Sequence, residues 1–298
     1  MTDEDRGFVF HTPGGDVEMQ IDEVRELAGQ GDADGCYAYG MALLFGWDVD
    51  MDVPSGYAYL QKASEAGQTD AMTLLVRMYM QGEYEMDAAK AVEYSKRAAA
   101  DGVSDAQFYL GLAYMDGIVV PQSYSEAARC FRLAANQGNA EARTSLAYLF
   151  LEGLGVPKDE SKAYRLFRSA ASAGNVNSMF QLGVCYEFGV GTKTNPAKAA
   201  EWYSKGSEAG DAFATERLAF VYSQGFEGNP PDLAKAFELF LDAAMNGVTT
   251  AMYTVGCCYL RGTGVEKDVE EARKWLKMAL DNGMEDATAE LDSIVEES

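Results

Sequence analysis

Ala106-Gln-Phe-Tyr-Leu-Gly-Leu-Ala-Tyr-Met-Asp-Gly117 and Ala251-Met-Tyr-Thr-Val-Gly-Cys-Cys-Tyr-Leu-Arg-Gly262 share one skeleton. A small residue is followed by an apolar residue at offset four, a small one at five, an aromatic at eight and glycine at eleven. Those offsets fall on one stripe of an α-helix. The glycine supplies the left-handed residue on which a helix stops. The same pattern opens at Gly35, Ala71, Ala142, Ser178 and Ala214. Glycines at 31, 67, 102, 138, 174, 210, 247 and 283 keep step with it, at intervals of 35 to 37 residues. A fixed period of that length means one supersecondary unit copied along the chain.

Working outward from each glycine at offset eleven, a loop of about eight residues leads to a second helix. Three loops carry Gly-x-Gly, at Gly153, Gly189 and Gly262. The second helix opens near an acid or proline and contains a small residue followed by aromatics, as in Ala199-Ala-Glu-Trp-Tyr203 and Ala236-Phe-Glu-Leu-Phe240. It then runs through a small pair such as Ala134-Ala135 into the closing glycine. Small residues let helices approach, and aromatics fill the space between them. The pattern predicts seven helix–turn–helix repeats over residues 35–286, starting near 35, 71, 106, 142, 178, 214 and 251. Residues 17–34 are expected to hold an N-terminal capping helix and residues 287–298 a C-terminal one, because an array must cover its end faces. Residues 1–16, acidic and containing Gly14-Gly15, are expected to be a mobile segment.

The formal net charge of −23 is uneven: residues 1–70 hold fifteen acids and three bases. Such a balance disfavours nucleic acid and anionic membranes as partners. No apolar run approaches the roughly 20 residues of a spanning helix. With no leader-like stretch after the acidic start, a cytoplasmic location is expected. Five cysteines show no framework spacing, which suits a reduced compartment. A single histidine, His11, makes His-based zinc chemistry or a nucleophile–base pair an unpromising reading.

The skeleton Ala-xxx-Leu-Gly-xx-Tyr-xx-Gly-x-Gly-Val, followed by Asp, Lys-Ala, Trp-Tyr and Ala-Ala, resembles the Sel-one-like repeat (SLR) family, a relative of the tetratricopeptide repeat. Leu182-Gly183, Tyr186, Gly189-Val-Gly191, Lys198-Ala199 and Trp202-Tyr203 carry the likeness in repeat five. Gly262-Thr-Gly-Val265, Asp268, Ala272 and Trp275 carry it in repeat seven. Phe150 and Leu43 depart at the tyrosine position, and repeats one and two have altered loops. The resemblance implies an all-α, right-handed α-solenoid used as an adaptor or scaffold. The paired cysteines of a secreted, disulfide-bonded branch of that family are absent.

Candidate chemistry is sparse. The Gly-x-Gly loops lack the third glycine or the lysine of a phosphate loop and read as structural turns. Asp48-Val-Asp-Met-Asp52 imitates the start of a calcium loop, but Val53 and Tyr59 occupy the sixth and twelfth positions. No cofactor, metal or catalytic residue is expected. Trp47, outside the skeleton, is read as packing against a cap in preference to meeting a partner. Helix offsets two, six and ten point away from the packing stripe and should line a concave face. They place Tyr37, Phe108, Tyr148, Phe180, Phe220 and Tyr253 there, with Arg77 and Glu216. Exposed aromatics of this kind mark binding surfaces. The expected function is therefore a non-enzymatic scaffold holding a protein or peptide on an aromatic-rich, acidic groove. An acidic patch at Asp48, Asp50 and Asp52 favours a basic partner, and a monomer is favoured. The alternatives are a self-assembling structural solenoid and a groove that takes a small ligand or glycan.

Overall fold

The computed structural model of the protein describes residues 8–12, 15–85, 87–226 and 228–296. Sixteen α-helices are present among them, fourteen of which form seven consecutive pairs. The first helix of each pair, helix A, is α2 (Ala33–Phe45), α4 (Thr69–Met80), α6 (Ser104–Asp116), α8 (Ala140–Glu152), α10 (Val176–Phe188), α12 (Ala212–Gln224) and α14 (Thr249–Arg261). The second, helix B, is α3 (Val53–Glu65), α5 (Ala88–Ala100), α7 (Tyr124–Asn136), α9 (Glu160–Ser172), α11 (Pro196–Glu208), α13 (Leu233–Met245) and α15 (Val269–Asp281). The contacts divide the chain into two compact units, residues 1–142 with 154–156 and residues 143–153 with 157–298.

Why each pair forms is visible in its caps. Every helix B begins on Asp, Ser or Asn, namely Asp52, Asp87, Ser123, Asp159, Asn195, Asp232 and Asp268. Each of those side chains accepts a backbone N–H of the first turn, which removes one of the helix's orphan donors. In six repeats the backbone N–H of that capping residue also donates to the carbonyl at the offset-eight position of helix A, for example Asp159 to Phe150 at 2.8 Å and Asn195 to Tyr186 at 2.7 Å. Repeat one keeps this bond, Asp52 to Leu43 at 2.9 Å, although its loop sequence departs from the others. In repeat two, the backbone N–H groups of both Glu83 and Tyr84 donate to the Met78 carbonyl.

Within a pair, the small residue at offset five receives a large side chain from helix B. A Cβ at Gly111 would stand 2.5 Å from the Phe131 ring, and one at Gly183 would stand 2.5 Å from the Tyr203 ring. Phe131, Phe167, Tyr203 and Leu276 are fully buried in this way. Filling that slot from the partner helix stabilises each pair by roughly 1.5–3 kcal/mol of apolar burial.

The Gly-x-Gly turns serve the next level of packing. Their second glycine lies against the first turn of the preceding helix B. A Cβ on Gly191 would meet the Glu160 carbonyl oxygen at 2.0 Å, and one on Gly264 the Leu233 oxygen at 2.0 Å. Both glycines also have positive φ, +67° and +73°, so a side chain at either of them meets a clash and an unfavourable backbone together.

Short elements stand at both ends of the seven pairs. α1 (Ile21–Gln30) precedes repeat one, opening on a capping box between Gln20 and Glu23 and closing on Gly31. Ahead of it, β1 (Phe8–Thr12) pairs antiparallel with β2 (Gly15–Met19). The alternating Phe8-Val-Phe10 and Val17-Glu-Met19 suit a hairpin, a period-two signal too short to stand out beside the helical repeat. Residues 1–7, 13 and 14 lie outside the described residues. α16 (Ala287–Glu296) packs on α15 and buries Ala287 and Ile294. Residues 297–298 lie outside the described residues.

Candidate functional site

In the unit formed by residues 143–153 and 157–298, helices α8, α10 and α12 line an open groove of about 600 Å³. Tyr148 and Phe180 form its aromatic floor, Asn177 and Gln181 its polar wall, and Gly210, Asp211 and Phe213 its far rim. The floor is fixed from behind. The Tyr148 ring meets Phe167 edge-on at 5.2 Å, and Phe180 leans on Tyr203 at 5.9 Å. The Tyr148 hydroxyl donates to Asn177 Oδ1 at 2.8 Å. Burial raises its pKa, so it stays a neutral donor. Asp211 is committed to capping α12, accepting from the backbone N–H groups of Phe213 and Ala214. No Lys or Arg lines the groove. It offers apolar surface and carboxamides, the chemistry of holding a side chain and a main chain rather than of breaking a bond.

Phe213 is 61% exposed. Its register position, immediately before the small residue that opens the skeleton, carries Asp34, Asp70, Asp105, Glu141, Asn177 and Thr250 in the other repeats. One aromatic in a polar column is the most informative departure in this unit. It lies outside offsets two, six and ten, so the sequence reading missed it, although the column itself held the signal.

The structure distributes the expected groove residues unevenly. Tyr148 and Phe180 share the groove; Phe220, Tyr253 and Glu216 do not line it. Glu216 is a correction: it is buried, and its carboxylate accepts a hydrogen bond from Thr250 Oγ1. Thr144, at the same offset, is also buried and bonds Ser178 at 2.6 Å. Neighbouring A helices lie side by side, so offset two falls on their seam and ties them together. Phe220 packs edge-on against Phe240 at 4.8 Å, with the Arg217 guanidinium 5.4 Å from its ring. The Tyr253 phenol is half-buried; its hydrogen bond with Cys257, then burial, pushes it up to about 12. Beside the groove face, Arg217 pairs with Glu187, which also accepts from the buried Tyr203 hydroxyl at 2.6 Å. Phe188, 61% exposed, lies under the same guanidinium at 5.4 Å.

In the unit formed by residues 1–142 and 154–156, Tyr37 is half-buried against the core, and burial raises its pKa. Phe108 rests on Tyr109 and Phe131 at 5.5 and 5.9 Å. Arg77 is exposed, and its charge acts on both Tyr37 and Tyr109. Asp48, Asp50 and Asp52 are exposed, and Asp52 is committed as the cap of α3. Trp47 stacks on Phe45 at 5.1 Å, and both rings are partly exposed. Among the described residues, no group of three or more His, Cys, Asp or Glu is arranged to hold a metal ion. No helix among them is long and apolar enough to cross a membrane.

Comparison with known proteins agrees with this architecture. The Sel1 repeat model matches seven consecutive times, at residues 33–68, 69–103, 104–139, 140–175, 176–211, 212–248 and 249–284. Among solved structures, a Sel1 repeat protein from Oxalobacter formigenes is 26% identical with a TM-score of 0.73, over 92% of this chain and 79% of that one. A protective antigen of uropathogenic Escherichia coli with an SLR fold is 25% identical with a TM-score of 0.56, over 94% and 76%. No curated protein matches the sequence. Such solenoids are commonly protein-interaction scaffolds and are generally non-catalytic. With seven copies filling residues 33–284, the chain belongs to the Sel1 repeat family as an α-solenoid.

Proposed function

We propose that this protein is a non-enzymatic interaction scaffold that seats a peptide or protein segment in the groove between Tyr148, Phe180 and Phe213. The observation that carries this reading is Phe213, an exposed phenylalanine at a position that is polar in every other repeat. A scaffold gains nothing in stability from a large apolar side chain held in water; a partner that covers it gains both apolar area and shape. Asn177 and Gln181 supply carboxamides that pair with a main chain. The groove is formed on helices packed from behind, so the scaffold loses little freedom on binding. The net charge of −23 supports a neutral or basic occupant and opposes assembly of identical copies.

The test is recovery of co-purifying proteins by wild type, by Phe180→Ala/Phe213→Ser, and by Met245→Ser. Met245 is an exposed apolar residue on α13 outside the groove. A partner lost only by the folded double variant is the expected result. A partner set identical across all three proteins removes the groove from the reading.

A further inference from the structure

The loop that joins α2 to α3 breaks the repeat in one consistent direction. Counting from the glycine that ends helix A, the fifth position is Gln122, Lys158, Thr194 or Lys267 in four other repeats, and Met51 in this one. The fourth is Pro121, Pro157, Lys193 or Glu266, and here Asp50. The first is Ile118, Leu154, Val190 or Thr263 in those four repeats, and here Trp47. The loop nevertheless keeps its fold: Gly46 turns at φ +68°, Asp48 takes the left-handed conformation at φ 50°, and Asp52 caps α3. The substitutions have therefore changed the surface and not the turn.

That surface is apolar at its centre and acidic around it. Phe45 and Trp47 are stacked and 52% and 44% exposed; Met51, 68% exposed, folds back over Gly46. Asp48 and Asp50 flank them in solvent. No Lys or Arg occurs between Arg25 and Lys62, so this acidity is not neutralised by the adjoining sequence. In later repeats the corresponding loop lies against the start of a preceding helix B, as Gly191 does on Glu160. Repeat one has no preceding helix B; β1, β2 and α1 come before it. An array end facing water alone would be polar there; this one presents three large apolar side chains.

We infer that the Phe45–Trp47–Met51 patch is a second docking surface, and that its occupant is a partner segment in which an apolar side chain is flanked by Lys or Arg. Charge decides among occupants. A second copy of this chain would bring like charge to the patch, as would nucleic acid or an anionic membrane. An apolar anchor fills the space over the stacked rings, and flanking cations meet Asp48 and Asp50. The inference does not depend on the Phe213 groove.

The full-length protein is titrated calorimetrically with three synthetic peptides: Ac-Lys-Leu-Lys-Phe-Arg-Lys-amide, its Leu→Gly/Phe→Gly form, and its Lys/Arg→Glu form. Saturable binding of the first alone, weakening as salt rises, is expected. Trp47→Ala/Met51→Ser and, separately, Asp48→Asn/Asp50→Asn should each weaken it about tenfold or more. Asp52 is left intact because it caps α3. Phe213→Ser should bind this peptide as wild type does, which keeps failure of the groove distinct from failure of this patch. Unchanged affinity in either double variant overturns the inference. So does equal binding of the glycine peptide, which would mean charge alone, or no binding at all. Self-association lost on Trp47→Ala would make a second copy the occupant and refute the basic segment.

Discussion

Gly191 offers the sharpest test of how neighbouring repeats are held together. Gly174 and Gly191 both have positive φ, +93° and +67°. An alanine at either position is forced into a region that costs an L-residue about 1–2 kcal/mol. At Gly174 nothing lies within 4 Å of the new Cβ. At Gly191 the Cβ stands 2.0 Å from the Glu160 oxygen and 2.6 Å from its carbonyl carbon. Contact requires more than 3 Å, and the obstacle is helix backbone, which has no rotamer to escape into. The loop must retreat by over an ångström from the start of α9, a displacement that costs about 1–3 kcal/mol more. Gly174→Ala should thus destabilise by about 1 kcal/mol and Gly191→Ala by about 2–5. Gly264→Ala, with the Leu233 oxygen at 2.0 Å, should behave like Gly191→Ala. Urea titration followed by circular dichroism at 222 nm reads these as shifts of midpoint, with the slope checked for loss of cooperativity between repeats. Equal shifts for Gly174→Ala and Gly191→Ala would refute the close approach of loop and preceding helix.

Repeat three supplies the reverse experiment: Val119 sits at the position of Gly191 with φ 62°, a conformation that strains a β-branched residue. Val119→Gly should raise stability by about 1 kcal/mol, the relief of strain being partly offset by the freedom glycine regains on unfolding; an unchanged or lower urea midpoint would contradict the strain. The five cysteines are free, and burial raises the pKa of each, Cys185 to about 12. At pH 8 they are therefore neutral thiols in the folded chain, and Ellman's reagent should react about a hundredfold more slowly than in denaturant. A rapid stoichiometric phase with native protein would show that one of them is a reactive thiolate.

The repeat was legible because its physics is local and copied. Small residues at offset five in six repeats, glycines after helix A and Asp, Ser or Asn before helix B each satisfy a short-range demand. Seven copies turn a weak pattern into a register. The face presented to partners is a different matter, because it depends on which offsets adjacent A helices cover. Counting along one helix assigned offset two to the surface, and tertiary packing gave Thr144 and Glu216 to the seam instead. Phe180, at the same offset, lines the groove, and Tyr148 reaches it from offset six. The strand pair β1–β2 is hard to read because two five-residue strands carry little periodic signal beside the long helical repeats.

A register nevertheless does more than identify a fold. It states what each position must be for packing, and so isolates residues that packing does not ask for. Phe213 stands in a column of Asp, Glu, Asn and Thr; Met51 stands where four other repeats have Gln, Lys or Thr. Each is an apolar side chain placed in water where the same backbone elsewhere carries a polar one. Neither replacement serves the helix pair, because the loops and caps beside them are built as in the other repeats. A single exposed apolar residue on a surface is unremarkable. Here each joins other aromatics, Tyr148 and Phe180 in one case and Phe45 and Trp47 in the other. Function in this chain is therefore best sought where the columns break and the breaks cluster, and the two clusters make separable claims: Phe213→Ser tests one and Trp47→Ala/Met51→Ser the other, with the repeat skeleton untouched by both.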